Sequence, residues 1–281
     1  MSARPCTSEK RADPSAPRSR RPAPAALDRD ATLSAASAVS RGDERAEVLQ
    51  IRVDVLTARY RIDGGPSVIV KLWNRPGWRG WLRRATRSAP FSRESIALRR
   101  LGDLNGPAPR LLGSFLLDRR SHRHTEALVI EDLGPARDAF DVVAELAGDR
   151  ADAALADVDD ALARLTADML DAGIVDDDHR LTNMIRPADG RWYRIDFEHA
   201  RCMRSPARPR RRRGIMLGRL MGTYVFAVQP RLELADRFFE RVRGLAGGDR
   251  RVRAAASEIV AGMLEQQVRT NNVRTTYELP W

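Results

Sequence analysis

From Glu47 onward, apolar residues first recur at short, roughly two-residue intervals. Val48 to Val53 predicts one strand, Ala58 to Ile62 a second and Ser67 to Leu72 a third. Near-alternation of this kind puts successive side chains on opposite faces of a sheet. Asp63-Gly64-Gly65 is a tight-turn signal, so the three strands predict an antiparallel meander closing at Lys71. Phe91, Ile96, Leu98 and Leu101 change the period to that of a helix, with Ser92 as its N-cap. After the break at Pro107-Ala108-Pro109, Leu111–Leu117 and Ala127–Ile130 predict two further strands. Past Gly134 the pattern turns helical. Leu155, Val158, Leu162, Leu165 and Met169 form one stripe, which Ala172-Gly173 ends. Asn183–Ile185 and Trp192–Phe197 predict a hairpin across Pro187-Ala188-Asp189-Gly190, and the chain from Leu217 is mostly helical. Residues 1–45 are rich in Ala, Pro, Ser and Arg and predict a disordered basic tail. The fold class is α+β: a small sheet with one helix over residues 46–133, then a larger helical part over 134–281.

Composition adds an electrostatic constraint. The 281 residues carry a formal net charge of +11 and a pI near 10.8, which implies an anionic partner or surface. Nucleic acid, anionic lipid and phosphorylated substrates all qualify. Two cysteines, Cys6 and Cys202, make no disulfide framework and fit a reducing, cytoplasmic setting. The N-terminus lacks the apolar stretch of a secretory signal. The best apolar run, Ile215 to Val228, is broken by Arg219, so no transmembrane span is predicted. His122, His124, His179 and His199 are scattered without zinc-type spacing.

The basic residues are themselves biased. Of 49 Lys plus Arg, only Lys10 and Lys71 are lysine, and Lys10 lies in the tail. A compact ammonium at a strand end, in a chain that otherwise writes guanidinium, points to a particular charge geometry. Glu94 is the only acid between Asp63 and Asp103, on the helix that follows, and is a candidate partner for Lys71. A second cluster runs from Asp176-Asp177-Asp178 to Asn183, and a third is Asp196-Phe197-Glu198. Antiparallel pairing of the predicted hairpin brings Asn183 and Asp196 side by side. An amide oxygen and a carboxylate beside the loop Asp178 make a hard, oxygen-only site, suited to Mg²⁺ bound with substrate phosphates.

Lys on the third strand, Glu on the next helix, Asp-x-x-x-x-Asn in a loop and then Asp-Phe-x: this order resembles the protein-kinase-like superfamily. The stretches VIVKLW, FSRESIALRRL, PAPRLLG, ALVIEDLG, AGIVDDDHRLTNMI and DGRWYRIDFEHAR are closest in wording to bacterial lipopolysaccharide core kinases acting on Kdo or heptose sugars. The resemblance implies a two-lobed fold and an ATP- and Mg²⁺-dependent kinase. It implies that Lys71 holds the ATP phosphates with Glu94 as its ion-pair partner. Asp178 takes the proton of the attacking hydroxyl, and Asn183 and Asp196 ligate Mg²⁺. The backbone from Ile130 through Glu131 to Leu133 faces adenine. Four departures stand out. The expected phosphate-covering turn, Asp54-Val55-Leu56-Thr57, has no glycine; Asp176 replaces a histidine; Glu198 replaces a glycine; and no Ala-Pro-Glu-like segment follows.

Two basic features complete the picture. Arg204, Arg208 and Arg210 to Arg213 follow the third cluster, in the position of an activation segment, with no acid from Arg201 to Leu232. They suit an anionic membrane surface, a phosphorylated glycolipid acceptor, or nucleic-acid phosphates. Trp73 to Arg84 mixes tryptophan and arginine as an interfacial segment does. The expected activity is phosphorylation of a hydroxyl, on a lipid-linked sugar at the inner membrane face. A small-molecule or protein kinase of the same fold is one alternative. A catalytically dead scaffold that binds anionic lipid or nucleic acid is the other.

Overall fold

The computed structural model describes residues 27–75, 77–86, 88–118, 122–203, 210–271 and 276–281. It opens with helix α1 (Arg29–Arg41), followed by strands β1 (Ala46–Ile51), β2 (Val55–Arg61) and β3 (Ser67–Trp73). Helices α2 (Trp78–Ala85) and α3 (Pro90–Asp103) precede β4 (Leu111–Leu116) and β5 (Glu126–Glu131). Then come β6 (Ala136–Asp138), α4 (Ala139–Gly148), α5 (Asp152–Asp171) and β7 (Ile174–Asp176). A 3-10 turn (Leu181–Asn183) leads to β8 (Met184–Pro187), β9 (Tyr193–Arg194) and β10 (Ala200–Cys202). Helices α6 (Arg210–Val228), α7 (Leu232–Val242) and α8 (Arg250–Asn271) complete the described chain.

The first five strands form one antiparallel sheet in the order β1-β2-β3-β5-β4. Its register places Lys71 opposite Thr57 on one side and Leu128 on the other. Alternation then divides β3 between two faces. Val68, Val70 and Leu72 pack with Ala58, Ala127 and Val129 against Ala35, Ala36 and Val39 of α1. Lys71 and Trp73 point the other way, where Trp73 packs with Val55, Leu128 and Phe91. Trp73 meets Phe91 edge to face at 5.9 Å, which seats α3 beneath the sheet.

Helix α1 corrects the expectation that residues 1–45 are a disordered tail; residues 1–26 lie outside the described residues. The Asp28 side chain caps it by accepting from the Ala31 N–H at 2.8 Å, and Gly42 ends it at φ 80°. Its buried residues are mostly Ala, Ser and Thr. A small-residue face lets the helix lie close on the sheet: a Cβ on Gly113 of β4 would come within 3.2 Å of Thr32 Oγ1. Two other expectations also shift. Helix α3 starts at Pro90 with Ala89 as N-cap and no side-chain cap, because proline at the first turn sacrifices no hydrogen bond. Trp78–Ala85, read above only as a basic segment, is helical.

The helical part has its own core. Helices α6 and α8 approach closely because Gly214, Gly218 and Gly222 share one face of α6. A Cβ at Gly218 would meet the Ala256 carbonyl at 2.7 Å. Tyr224 of α6 stacks on Phe238 of α7 with centroids 4.1 Å apart, and its hydroxyl donates to Asp159 of α5 at 2.6 Å. Two small antiparallel units, β10-β7 and β6-β8-β9, accompany these helices: β7 contacts α5 and α6, β10 contacts α3, and β6 and β8 contact α4. Among the described residues, no helix is long and apolar enough to cross a membrane.

Candidate active site

A cleft of 410 Å³ opens between the large sheet and the small hairpin units. Ile69, Lys71, Thr57 and Arg52 line its sheet side, residues 130–134 its back, and Asn183, Ile185, Ile195 and Asp196 its floor. Apolar side chains thus face one another across a cavity whose inner end is charged.

Lys71 sits where its strand crosses the cleft. Its Nζ donates to Glu94 Oε1 at 2.8 Å and to Asp196 Oδ1 at 3.3 Å. The expected pairing of Lys71 with Glu94 is therefore present, and Asp196 joins it. Burial opposes the Lys71 charge, but Glu94 and Asp196 outweigh it and hold the ammonium above the ordinary lysine pKa. Glu94 is fully enclosed, and burial pushes its carboxyl up to about 7 against the pull of Lys71. Asp196 stays below the usual carboxylate value: burial works against it, but Lys71 and then Arg194 more than compensate. Its backbone φ of 59° lies in the left-handed region, a strained conformation for a non-glycine residue that the surrounding structure must enforce.

Asn183 and Asp196 do come together. Met184 pairs with Arg194 and Ile185 with Tyr193, and the Ile195 N–H donates to the Asn183 carbonyl at 2.9 Å. The Asn183 amide donates to both the Asp178 carbonyl at 3.0 Å and its Oδ2 at 3.2 Å. Arg180 Nε holds Asp178 Oδ1 at 2.5 Å. The carboxylates of Glu94, Asp196 and Glu198 each offer an oxygen within 4.8 Å of the others. Glu198, named in the sequence as the end of the third cluster and as a replaced glycine but given no role there, is thus part of the charged centre. Burial and the neighbouring Asp196 raise its pKa.

At the back, the Glu131 N–H donates to the Arg110 carbonyl at 2.9 Å, and Glu131 Oε2 accepts from the Arg110 N–H at 3.2 Å. These bonds fasten residue 131 to the segment before β4. Leu133 and Gly134 continue the lining.

Two residues, Arg52 and Arg194, escaped the sequence reading. Arg52 occupies the turn between β1 and β2, lines the cleft, and helps keep Asp196 ionised. That turn is Arg52-Val53-Asp54, whereas Val55 to Thr57, expected in the turn, already belong to β2. Arg194 is wholly buried and paired with the equally buried Asp176 at 2.5 Å. It also donates to the Asp178 carbonyl at 3.0 Å and the Asn183 carbonyl at 3.2 Å. Arg212 pairs with Asp177. The arginine run expected as a loop begins helix α6 from Arg210 onward; Arg204 and Arg208 lie outside the described residues.

No family model matches the chain, and no curated protein matches it. Solved structures do: 974 chains match, a breadth that speaks to architecture rather than to substrate. One is WaaP in complex with acyl carrier protein, with a TM-score of 0.53 and 20% identity, covering 77% of this chain and 88% of that one. The fold is protein-kinase-like. Within this kinase-like fold the replacement of a histidine by Asp176 has a physical counterpart. The Asp176–Arg194 pair fixes the two ends of the Asp178–Asn183 loop, because Arg194 reaches the carbonyl at each.

Proposed function

We propose that this chain is an ATP- and Mg²⁺-dependent phosphotransferase acting on a hydroxyl, with a sugar of a lipid-linked glycan such as lipopolysaccharide core as acceptor. The observation that carries the reading is the junction of Lys71, Glu94 and Asp196 at 2.8 and 3.3 Å, at a cleft floored by Asn183, Ile185, Ile195 and Asp196, with Asp178 held next to the floor by the Asn183 amide. Phosphoryl transfer needs little covalent chemistry from the protein and much positioning.

The residues fit the groups that the activity requires. Ile69, Ile130, Ile185 and Ile195 offer apolar walls for a base, and the backbone from Ile130 to Leu133 faces it. Lys71, steadied by Glu94, holds phosphate oxygens, and Arg52 takes the covering role that a glycine-rich turn would otherwise fill. Asp196 and the Asn183 amide oxygen form the hard donor set that would hold Mg²⁺, with Glu198 in reach. The ion, when bound, supplies charge neutralisation at the transferring phosphoryl group. Asp178 accepts the proton of the acceptor hydroxyl as the new bond from its oxygen to the γ-phosphorus forms and the bond from that phosphorus to the ADP oxygen breaks, with ADP leaving; Arg180 and Asn183 hold the two Asp178 oxygens in place.

The wording of the sequence stretches supports the glycolipid acceptor, and the exposed Trp78 and Leu82 of α2 support work at an anionic membrane face. The WaaP structure contains acyl carrier protein, so a carrier protein is a candidate partner here, to be sought by co-elution. The deciding experiment is nucleotide titration with and without Mg²⁺, with transfer assayed on core sugars, for wild type, Lys71→Met and Asp178→Ala. Wild type should bind Mg·ATP. Lys71→Met should weaken binding at least about tenfold, and Asp178→Ala should bind normally but lose at least about a hundredfold in transfer. A wild type that binds no nucleotide, or an Asp178→Ala as fast as wild type, rules the reading out.

A further inference from the structure

A second charged cluster lies outside the cleft. Helix α3, which carries Arg93, packs on β10, which carries Arg201; Arg212 in the first turn of α6 pairs with Asp177, and Arg201, Arg212, Asp177 and Arg75 just beyond β3 all act electrostatically on Arg93. Burial and the charges of Arg201 and Arg212 push the Arg93 guanidinium below its ordinary pKa; Asp177 opposes them, and Arg75 adds to them. Two of the four arginines are balanced: Arg212 pairs with Asp177, and Arg75 with Asp54 at 2.5 Å. Arg93 and Arg201 have no acidic partner at ion-pair distance among the described residues, and Arg201 Nε is buried without a hydrogen-bond partner. Like charges gathered from four separate elements cost stability unless an anion offsets them.

Position gives the cluster a use. Arg93 precedes Glu94, the partner of Lys71. Arg201 on β10 stands opposite Val175 of β7, the strand that feeds the Asp178 loop, one residue from the Ala200–Asp176 match. Arg212 grips the residue immediately before Asp178. We propose that Arg93 and Arg201, backed by Arg212 and Arg75, form an oxyanion subsite for the acceptor. A phosphate or carboxylate borne by the acceptor docks there and sets its hydroxyl toward Asp178. Planar guanidinium groups suit such oxyanions because they bind them through paired hydrogen bonds. This inference rests on the phosphotransferase reading and narrows its substrate to an acceptor that is already anionic.

The test uses the full chain saturated with Mg²⁺ and a non-hydrolysable ATP analogue, so that the cleft is filled, and titrates inorganic phosphate by calorimetry. Wild type is compared with Arg93→Gln, Arg201→Gln and, as a control for net charge alone, Arg250→Gln on α8. Phosphate affinity should fall at least about tenfold in the first two and stay within about twofold in the third. Equal affinity in all four proteins, or an equal loss in Arg250→Gln, overturns the subsite. A parallel titration with phosphatidic acid vesicles separates a headgroup from a soluble anion. Arginine-dependent vesicle binding with none to phosphate also overturns it. Should a glutamine variant fail to fold by thermal melting, Arg93→Lys and Arg201→Lys are read instead. They keep the charge but lose the fork, so about a threefold loss is expected and none overturns the subsite. Analogue binding is measured first on the same samples. If it is absent while phosphate still binds through Arg93 and Arg201, the phosphotransferase reading falls and the anion site stands.

Discussion

At the residue scale, Arg194 and Asp176 show how much of this site depends on one buried pair. Both side chains are inaccessible to solvent. Removing one partner from such a pair leaves an uncompensated charge and costs about 3–5 kcal/mol, whereas replacing both by apolar groups is often close to neutral. Arg194→Met should therefore lower unfolding free energy by about 3–5 kcal/mol, read by urea titration, and Asp176→Leu/Arg194→Met should recover most of it. Transfer activity should not recover, because the Asp178 and Asn183 carbonyls still lack their donor. A double variant that regains both would reduce the pair to a packing element. The acidic and amide residues of the centre were legible beforehand because their spacing and order are local: Asp178 and Asn183 are five apart, and one hairpin brings Asp196 back to Asn183. Arg194 was not, since nothing in a chain so rich in arginine marks the one that is buried. Arg52 was missed for the same reason, and because the turn was placed two residues too late.

At the element scale, strands were easier to read than the helices around them. The near-continuous apolar run of β3 reflects a strand covered on both faces, a signal legible within a few residues. Helix α1 has no comparable signal. Its inward face is alanine, serine and threonine with a single Val39, so its stabilisation comes from close approach rather than from large apolar side chains. Helix α2 is the reverse case: Trp78 is 69% and Leu82 45% exposed, one turn apart on the same face, with Arg83 also exposed. An apolar pair left in water beside arginine fits insertion at an anionic bilayer surface. Trp78→Ser/Leu82→Ser should lose at least half of its sedimentation with phosphatidylglycerol vesicles while its melting temperature stays unchanged. Equal sedimentation of variant and wild type would remove α2 from membrane attachment.

For the whole molecule, stability should depend on pH through a group that is not part of the cleft lining. Asp159 joins α5 to Tyr224 of α6, and burial pushes its carboxyl from 3.8 up to about 6, against the pull of the Tyr224 hydrogen bond. A raised carboxyl pKa means that the folded chain holds a proton which the unfolded chain has released. Its stabilising share is therefore greatest on the acid side, and declines as pH climbs from 3.8 through about 6. The shift corresponds to at most about 3 kcal/mol. Asp159→Asn cannot release this proton. Its stability relative to wild type should rise by up to about 3 kcal/mol between about pH 4 and about pH 7, followed by denaturant titration at each pH. A constant difference would mean that Asp159 titrates normally in the folded protein. The overall charge of +11 does not determine the fold, but it favours encounter with anionic surfaces from any direction.

Lys71 remains the only lysine after residue 10. Amine-directed chemistry on the chain beyond the tail therefore has a single address, at the inner end of the cleft. An acyl-phosphate reagent would modify that address and the amines of the tail, and the modified Lys71 peptide in a mass spectrum would report cleft occupancy without a radiolabel, an acceptor or a coupled assay. The bias toward arginine has left the protein with a built-in tag at its centre, and protection of that tag by candidate ligands can be read directly from crude extract.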